Sequence, residues 1–289
     1  MSATSGQSRA DGIDGHQGGR NILRTTARAN RTMSAPPILI DTHCHLDLAD
    51  FDADRNVVLA RAREAGVTDI VLPAITAAGW SDLRRLCAGE PGLHPALGLH
   101  PVYLDEHGPR DLDALEQAIA AAPPVAIGEI GLDYFVADVD PERQRVLFEA
   151  QLAIARAADL PILLHVRKAH DQVLAILRRM RLSGGIAHAF NGSLQQAQQY
   201  LELGFVLGFG GMVTFARSSR LHRLARALPE TAIVLETDAP DLTVAAHQGE
   251  RNSPEYLPDV LAALADLRGE DPTALAAQTT ANARAVLKL

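Results

Sequence analysis

The stretch ILIDTHCHLD, residues 38–47, places a short apolar run directly before a pair of histidines. Alternate side chains of a β-strand share one face, so His43 and His45 are predicted to project together from the carboxyl end of a first strand. Cys44 should point the opposite way and pack in the core. Two imidazoles on one rigid edge can hold a metal ion, although a lone His-x-His is equally compatible with one structural and one surface histidine. Further ligands must come from later in the chain.

Eight short β-like runs alternate with amphipathic helical stretches after residue 37. The strands are predicted at 38–42, 69–74, 96–100, 125–129, 162–166, 185–189, 205–209 and 233–237. The helices are predicted at 55–65, 112–121, 141–158, 171–180, 194–203 and 219–228. Eight βα units over about 250 residues are typical of an α/β protein with a single closed (β/α)8 TIM barrel. An open doubly wound sheet is the alternative, but no glycine-rich phosphate loop follows the first strand.

Residues 1–37 differ in composition from the remainder of the chain. They are rich in Ser, Gly, Thr, Arg and Asn and have no apolar period, so we predict a disordered N-terminal extension followed by one barrel domain at 38–289. The extension has no apolar stretch typical of a secretory signal. Met1 and Met33 are both possible starts of translation.

The composition limits the partners and the compartment. The formal net charge of −8 argues against a protein that coats nucleic acid by bulk attraction, so an anionic substrate would need local cations or metal. Two cysteines are too few for a disulfide framework, and we expect a cytoplasmic protein. No run approaches the roughly 18 apolar residues of a membrane span. We expect no membrane partner, and no obligate protein partner is evident.

Titratable residues gather at the predicted carboxyl ends of the strands, where the chemistry of a TIM barrel takes place. They are His43, His45, His100, Glu129, His165, His188, Glu236 and Asp238. Imidazole with carboxylate suits Zn²⁺ or Mn²⁺, and a carboxylate-rich site with open positions also admits Mg²⁺. Glu129 is central enough to bridge two ions. His100 precedes Pro101 and is predicted to shape the pocket or contact substrate.

Seven motifs occur in a recognisable order. They are DTHCHLD at 41–47, GLHP at 98–101, GEIGLDY at 128–134, PILLHVRKA at 161–169, HAFNGS at 188–193, ETDAPDL at 236–242 and RNSP at 251–254. Over residues 38–289 the chain thereby resembles the TatD family of metal-dependent deoxyribonucleases in the amidohydrolase superfamily. The resemblance implies a TIM barrel with a divalent-metal centre and, as in several members, 3′→5′ exonuclease activity on DNA. It also implies two metal-ligand sets: His43, His45, Glu129 and Asp238 for one ion, and Glu129, His165 and His188 for the other.

From these residues we expect a phosphodiesterase that acts on DNA single strands or 3′ ends with two divalent ions, Mg²⁺, Mn²⁺ or Zn²⁺. Asp238 is the candidate to orient or deprotonate the attacking water. Arg167 and Lys168 are candidates for phosphate contacts, and Arg167 is favoured by its bidentate geometry. The pathway, DNA repair or degradation, stays open.

Other candidates near the mouth each have two alternative roles. Tyr134 and Phe190 could stack on a base or pack in the core. Arg251 and Asn252 could position the strand-8 loop or the substrate. Two alternative functions also remain: an amide or ester hydrolase, for example of aminoacyl esters, and a non-enzymatic scaffold. Many dinuclear members of the superfamily use a carboxylated lysine as the bridge, whereas this chain has only Lys168 and Lys288.

Overall fold

The computed structural model describes residues 36–289, and in this range eight parallel strands form one sheet in sequential order. The strands are β1 Leu39–Asp41, β2 Val67–Pro73, β3 Leu93–Leu97, β4 Ala126–Asp133, β5 Ile162–Arg167, β6 Gly185–Ala187, β7 Phe205–Phe209 and β8 Ile233–Leu235. The Thr42 backbone N–H donates to the Leu235 carbonyl at 3.0 Å, which joins the first strand to the last. The predicted (β/α)8 barrel is confirmed. The predicted disordered extension lies, up to residue 35, outside the described residues.

Helices follow the strands and surround the barrel. They are α1 Arg55–Glu64, α2 Trp80–Gly89, α3 Asp111–Ala121, α4 Pro141–Ala158, α5 His170–Met180, α6 Leu194–Glu202, α7 Ser219–Ala227, α8 Leu257–Arg268 and α9 Pro272–Leu287. The start of α4 lies where predicted, because Pro141 needs no N–H partner and Asp140 caps the helix by accepting from the Glu142 N–H at 2.9 Å. α2, α8 and α9 were not predicted. No helix of the described range has the length and apolar composition needed to cross a bilayer.

The core has an inner and an outer layer because neighbouring residues of a strand face opposite sides of the sheet. Every strand contributes one residue to the inner layer: Ile40, Val71, Ala96, Ala126, Leu163, Ile186, Val206 and Val234. Ala283 and Leu287 of α9 pack against this layer, so α9 covers one end of the barrel. Cys44 is fully buried in the outer layer, as predicted. The opposite end, at the carboxyl ends of the strands, contains buried polar residues such as His43 and Glu129.

β4 departs most from prediction, because it continues to Asp133 instead of ending at Glu129. Against β5, its register shifts between Ile127 and Ile130, where three steps on β4 match two steps on β5. This β-bulge turns Glu129 toward the barrel mouth and lets the strand resume pairing afterwards. Gly131 permits the close pairing, because a Cβ there would lie 1.8 Å from the His165 carbonyl oxygen.

Candidate metal centre

One group of possible metal ligands comes from the ends of β1 and β8 and from the bulge of β4. The Nε2 atoms of His43 and His45 lie 3.3 Å apart, and His43 Nε2 lies 3.1 Å from Glu129 Oε2. Asp238 Oδ1 lies 3.7 Å from each of these two nitrogens. His43 is only 1% exposed and Glu129 only 3% exposed. Four nitrogen and oxygen donors therefore converge in a buried space.

The other carboxylate oxygen of Glu129 faces a different group. Oε1 lies 2.7 Å from His165 Nδ1 and 3.5 Å from His100 Nε2. Oε2 faces His43, and it also lies 3.6 Å from His45 Nε2. The two oxygens of one glutamate are thus shared between two sets of imidazoles, which is the arrangement expected of a bridging carboxylate.

His188 contacts His43 and Asp238. Its ring stacks on His43 with centroids 3.6 Å apart, and its Nε2 lies 3.5 Å from Asp238 Oδ1. The compact ligand groups are His43–His188–Asp238, His43–His45–Glu129 and His100–Glu129–His165. In the described residues it is thus His100 that groups with Glu129 and His165, while His188 Nδ1 lies 3.1 Å from Glu236 Oε2. His100 was predicted only to shape the pocket or contact substrate.

The charges of the site keep its carboxylates ionised. Burial alone would raise the pKa of Glu129, but His43, His100 and His165 outweigh it and hold that pKa well below its usual range. Burial also opposes the ionised form of Asp238, yet neighbouring histidines lower its pKa. Two anionic carboxylates at the bottom of a pocket favour a cation between them.

The pKa values of the histidines shift in two directions. Burial and the charge of His188 lower the pKa of His43, so its imidazole is neutral and available as a ligand. For His165, hydrogen bonds to Asp133 and Glu129 outweigh the effect of burial and raise the pKa to about 9. The carboxylates of Glu236 and Asp238 likewise outweigh burial and raise the pKa of His188. Imidazoles and carboxylates whose donor atoms lie within 4.8 Å of one another fit divalent cations of the Zn²⁺, Mn²⁺ or Mg²⁺ type, provided that His165 and His188 lose their protons on binding.

Two further carboxylates hold the histidines in place. Asp133 Oδ2 lies 3.0 Å from His165 Nε2, while its Oδ1 accepts from the Phe135 N–H at 2.8 Å. Glu236 accepts from the Ala189 N–H at 2.6 Å, beside His188. Outer carboxylates of this kind orient metal-binding imidazoles.

Prediction missed Asp133 because the predicted fourth strand stopped at Glu129. The signal was nevertheless present, since residues 129, 131 and 133 share one face of a continuing strand. Glu236 was placed at a strand end without a role. Its position depends on Gly208, where a Cβ would lie 2.1 Å from Glu236 Oε2.

A cavity of about 800 Å³ opens above the donor atoms. Arg167 and Phe190 line it, but Tyr134 and Arg251 do not. Tyr134 packs against the outer core.

Arg251 binds both carboxylate oxygens of Asp54, at 2.9 and 2.7 Å, so the structure does not bring it to the cavity. Asn252 is buried and donates to the Thr237 and Asp241 carbonyls at 2.8 and 2.7 Å. It therefore positions the loop after β8, which was one of the two roles considered for it.

A (β/α)8 barrel with imidazole and carboxylate donors clustered at its mouth is the arrangement of a metal-dependent hydrolase. Residues 40–288 match the family of TatD-related DNases, and the chain belongs to this family. The resemblance seen in the motifs is confirmed.

Several relatives illustrate the match. The chain is 42% identical over 234 residues to the uncharacterized metal-dependent hydrolase YjjV of Escherichia coli (strain K12), covering 80% of this chain and 90% of the relative. A Klebsiella pneumoniae (strain 342) protein named 3′-5′ ssDNA/RNA exonuclease TatD is 35% identical over 253 residues, or 85% of this chain and 96% of that protein. The crystal structure of E. coli YjjV matches with a TM-score of 0.84 at 39% identity, covering 87% of this chain and 98% of that one.

Proposed function

We propose that this protein hydrolyses phosphodiester bonds of DNA as a 3′→5′ exodeoxyribonuclease that uses two divalent metal ions. The main support is Glu129, whose two oxygens face separate donor groups at the bottom of an open cavity. When bound, a pair of divalent ions neutralises phosphoryl charge, activates water and assists the leaving oxygen. His43, His45 and Asp238 would hold one ion, with Glu129 shared between the two.

His165 and Glu129 would both bind the second ion. His100 and His188 are the candidates to complete that ligand set: His100 by its distance from Glu129, and His188 by the family resemblance. Metal content of single variants at these two positions distinguishes them, because only loss of a true ligand weakens the second ion.

Asp238 is suited to orient the attacking water and accept its proton. Its lowered pKa keeps the carboxylate ionised near neutral pH, and it remains partly accessible from the cavity. Its backbone lies in the left-handed region at φ 60° and is fixed by donation of its N–H to the His43 carbonyl at 2.8 Å. A strained conformation held in this way is common among catalytic residues.

The substrate class is supported by the rim of the cavity and by one relative. Arg167 lines the cavity two residues beyond His165 and can contact a phosphate. The Klebsiella pneumoniae relative is named for single-stranded DNA and RNA and for 3′-5′ polarity. Cys44 and Cys87 are both free, which supports our further proposal of a cytoplasmic location.

The test uses chelated protein reloaded with Mg²⁺, Mn²⁺ or Zn²⁺ and single-stranded DNA labelled at its 5′ end. We expect a metal-dependent ladder that shortens from the 3′ end and disappears in Glu129→Ala. Glu116→Ala on the exposed side of α3 is the matched control, because it removes an identical side chain far from the donors. Absence of any ladder in protein shown to contain metal contradicts the proposal.

A second candidate is hydrolysis of an ester or amide, such as an aminoacyl ester. It is favoured by apolar cavity residues, among them Val102, Met212 and Val213, which can hold an acyl side chain. A panel of aminoacyl esters, amides and oligonucleotides compares the two functions directly. Metal-dependent turnover of an aminoacyl ester far above that of DNA selects this candidate.

A further inference from the structure

A smaller pocket of about 410 Å³ adjoins the metal cavity, and we call it the outer pocket. Its lining includes Phe135, Arg167, Lys168, His170, Asn191 and Arg220. Arg167, Asn191 and Arg220 line both pockets, so the two spaces meet along these three side chains. We propose that the outer pocket binds the phosphate on the 5′ side of the scissile linkage, an inference that rests on the proposed nuclease function.

The charge of the outer pocket is the first argument. Arg167, Lys168 and Arg220 all line it, and none of them lies within 4.0 Å of a carboxylate oxygen in the described part of the chain. Arginines elsewhere on the barrel commonly have such partners, as Arg251 has Asp54. Among the carboxylates near this wall, that of Asp171 accepts from the Gln196 amide at 2.8 Å and that of Asp133 contacts His165 at 3.0 Å. Three unpaired cations on an acidic protein create a local field that attracts an anion.

Two of the three cations also contact an exposed aromatic ring. Phe135 is 50% exposed, yet the Arg167 guanidinium carbon lies 3.7 Å from its ring centroid and Lys168 Nζ lies 4.6 Å from it. Both distances are within the range of cation–π attraction. The Phe135 N–H donates to Asp133, which also contacts His165. The wall of the outer pocket is thus tied to the metal centre by a short chain of contacts.

The backbone around the pocket adds to its affinity for anions. His170, Gln196 and Arg220 lie in the first turns of α5, α6 and α7, so three helix N-termini meet at this place. The starts of α5 and α7 have no side-chain cap, so their free N–H groups and dipoles favour negative charge there, whereas the start of α6 is capped by Ser193 and contributes through its dipole. Lys168 connects β5 to α5 with φ 54°, a conformation that is unfavourable for a residue with a Cβ and is often retained at binding sites.

The spacing matches a polymer substrate. Arg167 follows His165 by two residues on β5, which separates their Cα atoms by about 7 Å. This separation is comparable with the distance between consecutive phosphates of an extended strand. A phosphate at the metal donors would therefore place its neighbour among Arg167, Lys168 and Arg220. The outer pocket would make the enzyme prefer chains with at least two phosphodiester linkages.

The experiment compares two DNA trinucleotides in the metal-loaded enzyme. One has two ordinary linkages, and the other has an uncharged methylphosphonate at the linkage 5′ to the scissile one. The measured quantity is the ratio of their kcat/KM values, which cancels any general effect of a variant on catalysis. We expect a ratio of at least about tenfold in the wild type, the effect of one charge-assisted contact.

The variants are Arg220→Gln alone and combined with Lys168→Gln, each checked for folding by circular dichroism. The matched control is Arg217→Gln, which removes the same charge from the segment before α7 but does not line either pocket. We expect the double variant to lower the ratio below about threefold and the control to keep it. The proposal is overturned by a wild-type ratio near one, by a ratio that survives in the double variant, or by an equal loss in the control. If neither trinucleotide is cleaved with any metal, the proposed function itself fails, and this inference fails with it.

Discussion

Gly208 of β7 leaves the space that the Glu236 carboxylate occupies, so Gly208→Ala should disturb the metal centre without touching any proposed ligand. A Cβ at residue 208 would lie 2.1 Å from Glu236 Oε2 and 2.5 Å from its Cδ. Ordinary contact begins near 3.4 Å, so the carboxylate has to move by about 1.3 Å. A shift of this size breaks its 2.6 Å hydrogen bond from the Ala189 N–H and withdraws it from His188.

The loss of stability expected in Gly208→Ala follows from these contacts. If the carboxylate stays, overpacking costs about 1–3 kcal/mol, and if it rotates away, a hydrogen bond to a charged group worth about 1.5–3 kcal/mol is lost. We therefore expect a loss of about 2 kcal/mol, which lowers the Tm of a domain of this size by roughly 4–8 °C. Because Glu236 orients His188, metal affinity should fall by about 10- to 100-fold.

Thermal unfolding followed by circular dichroism and competition with a fluorescent chelator measure the two effects. Gly210→Ala is the matched control, because its Cβ would approach the Glu236 carbonyl no closer than 3.3 Å and should be accommodated. Glu236→Gln is the companion variant, since it keeps the shape and removes the charge beside His188. Metal affinity within twofold of the wild type and an unchanged Tm in Gly208→Ala would refute the role assigned to Glu236.

Three other outcomes are expected. Glu129→Gln should retain less than half of the wild-type metal content, because it removes the charge shared by both donor groups. Emission spectrometry of gently purified protein measures the metal content, and an unchanged content would contradict the bridging role of Glu129. Metal binding at pH 7.5 should release protons, because the pKa of His165 is raised to about 9 and that of His188 is also raised. Both imidazoles must lose a proton to act as ligands, so metal affinity should rise as the pH increases toward 9. Calorimetry in buffers of different ionisation enthalpy measures the number of protons released, and a release of no protons would contradict this prediction. Arg251→Ala should lower the Tm only slightly, since solvent screens its ion pair with Asp54, and it should leave kcat/KM unaltered. A tenfold loss of kcat/KM in folded protein would instead place Arg251 at the substrate site.

Much of the site was predictable because a barrel converts sequence position into spatial position. An apolar run followed by His43 and His45 identifies a strand end, and all strand ends of a parallel barrel meet at one mouth. Glu129, His165 and Asp238 could therefore be assigned to the same place without any contact being known. The prediction missed α2, α8 and α9, but it still assigned the carboxyl ends of all eight strands to the same side of the barrel.

The partners within the site could not be predicted, because they depend on the stagger between strands that are distant in sequence. The bulge in β4 turns Glu129 inward and extends the strand to Asp133, and it is visible only in the pairing of β4 with β5. Likewise, the space at Gly208 that admits Glu236 exists only when β7 and β8 are side by side.

By itself, the sequence determined the barrel, its catalytic end and the chemical types of the donors, since local periodicity and residue identity suffice for these. Only the tertiary structure decided that His188 lies with His43 and Asp238, that His100 lies with Glu129, and which cations stay unpaired around the outer pocket. The physical reason is that distances of a few ångströms between side chains on different strands are decided by the relative register, bulges and packing of the whole barrel.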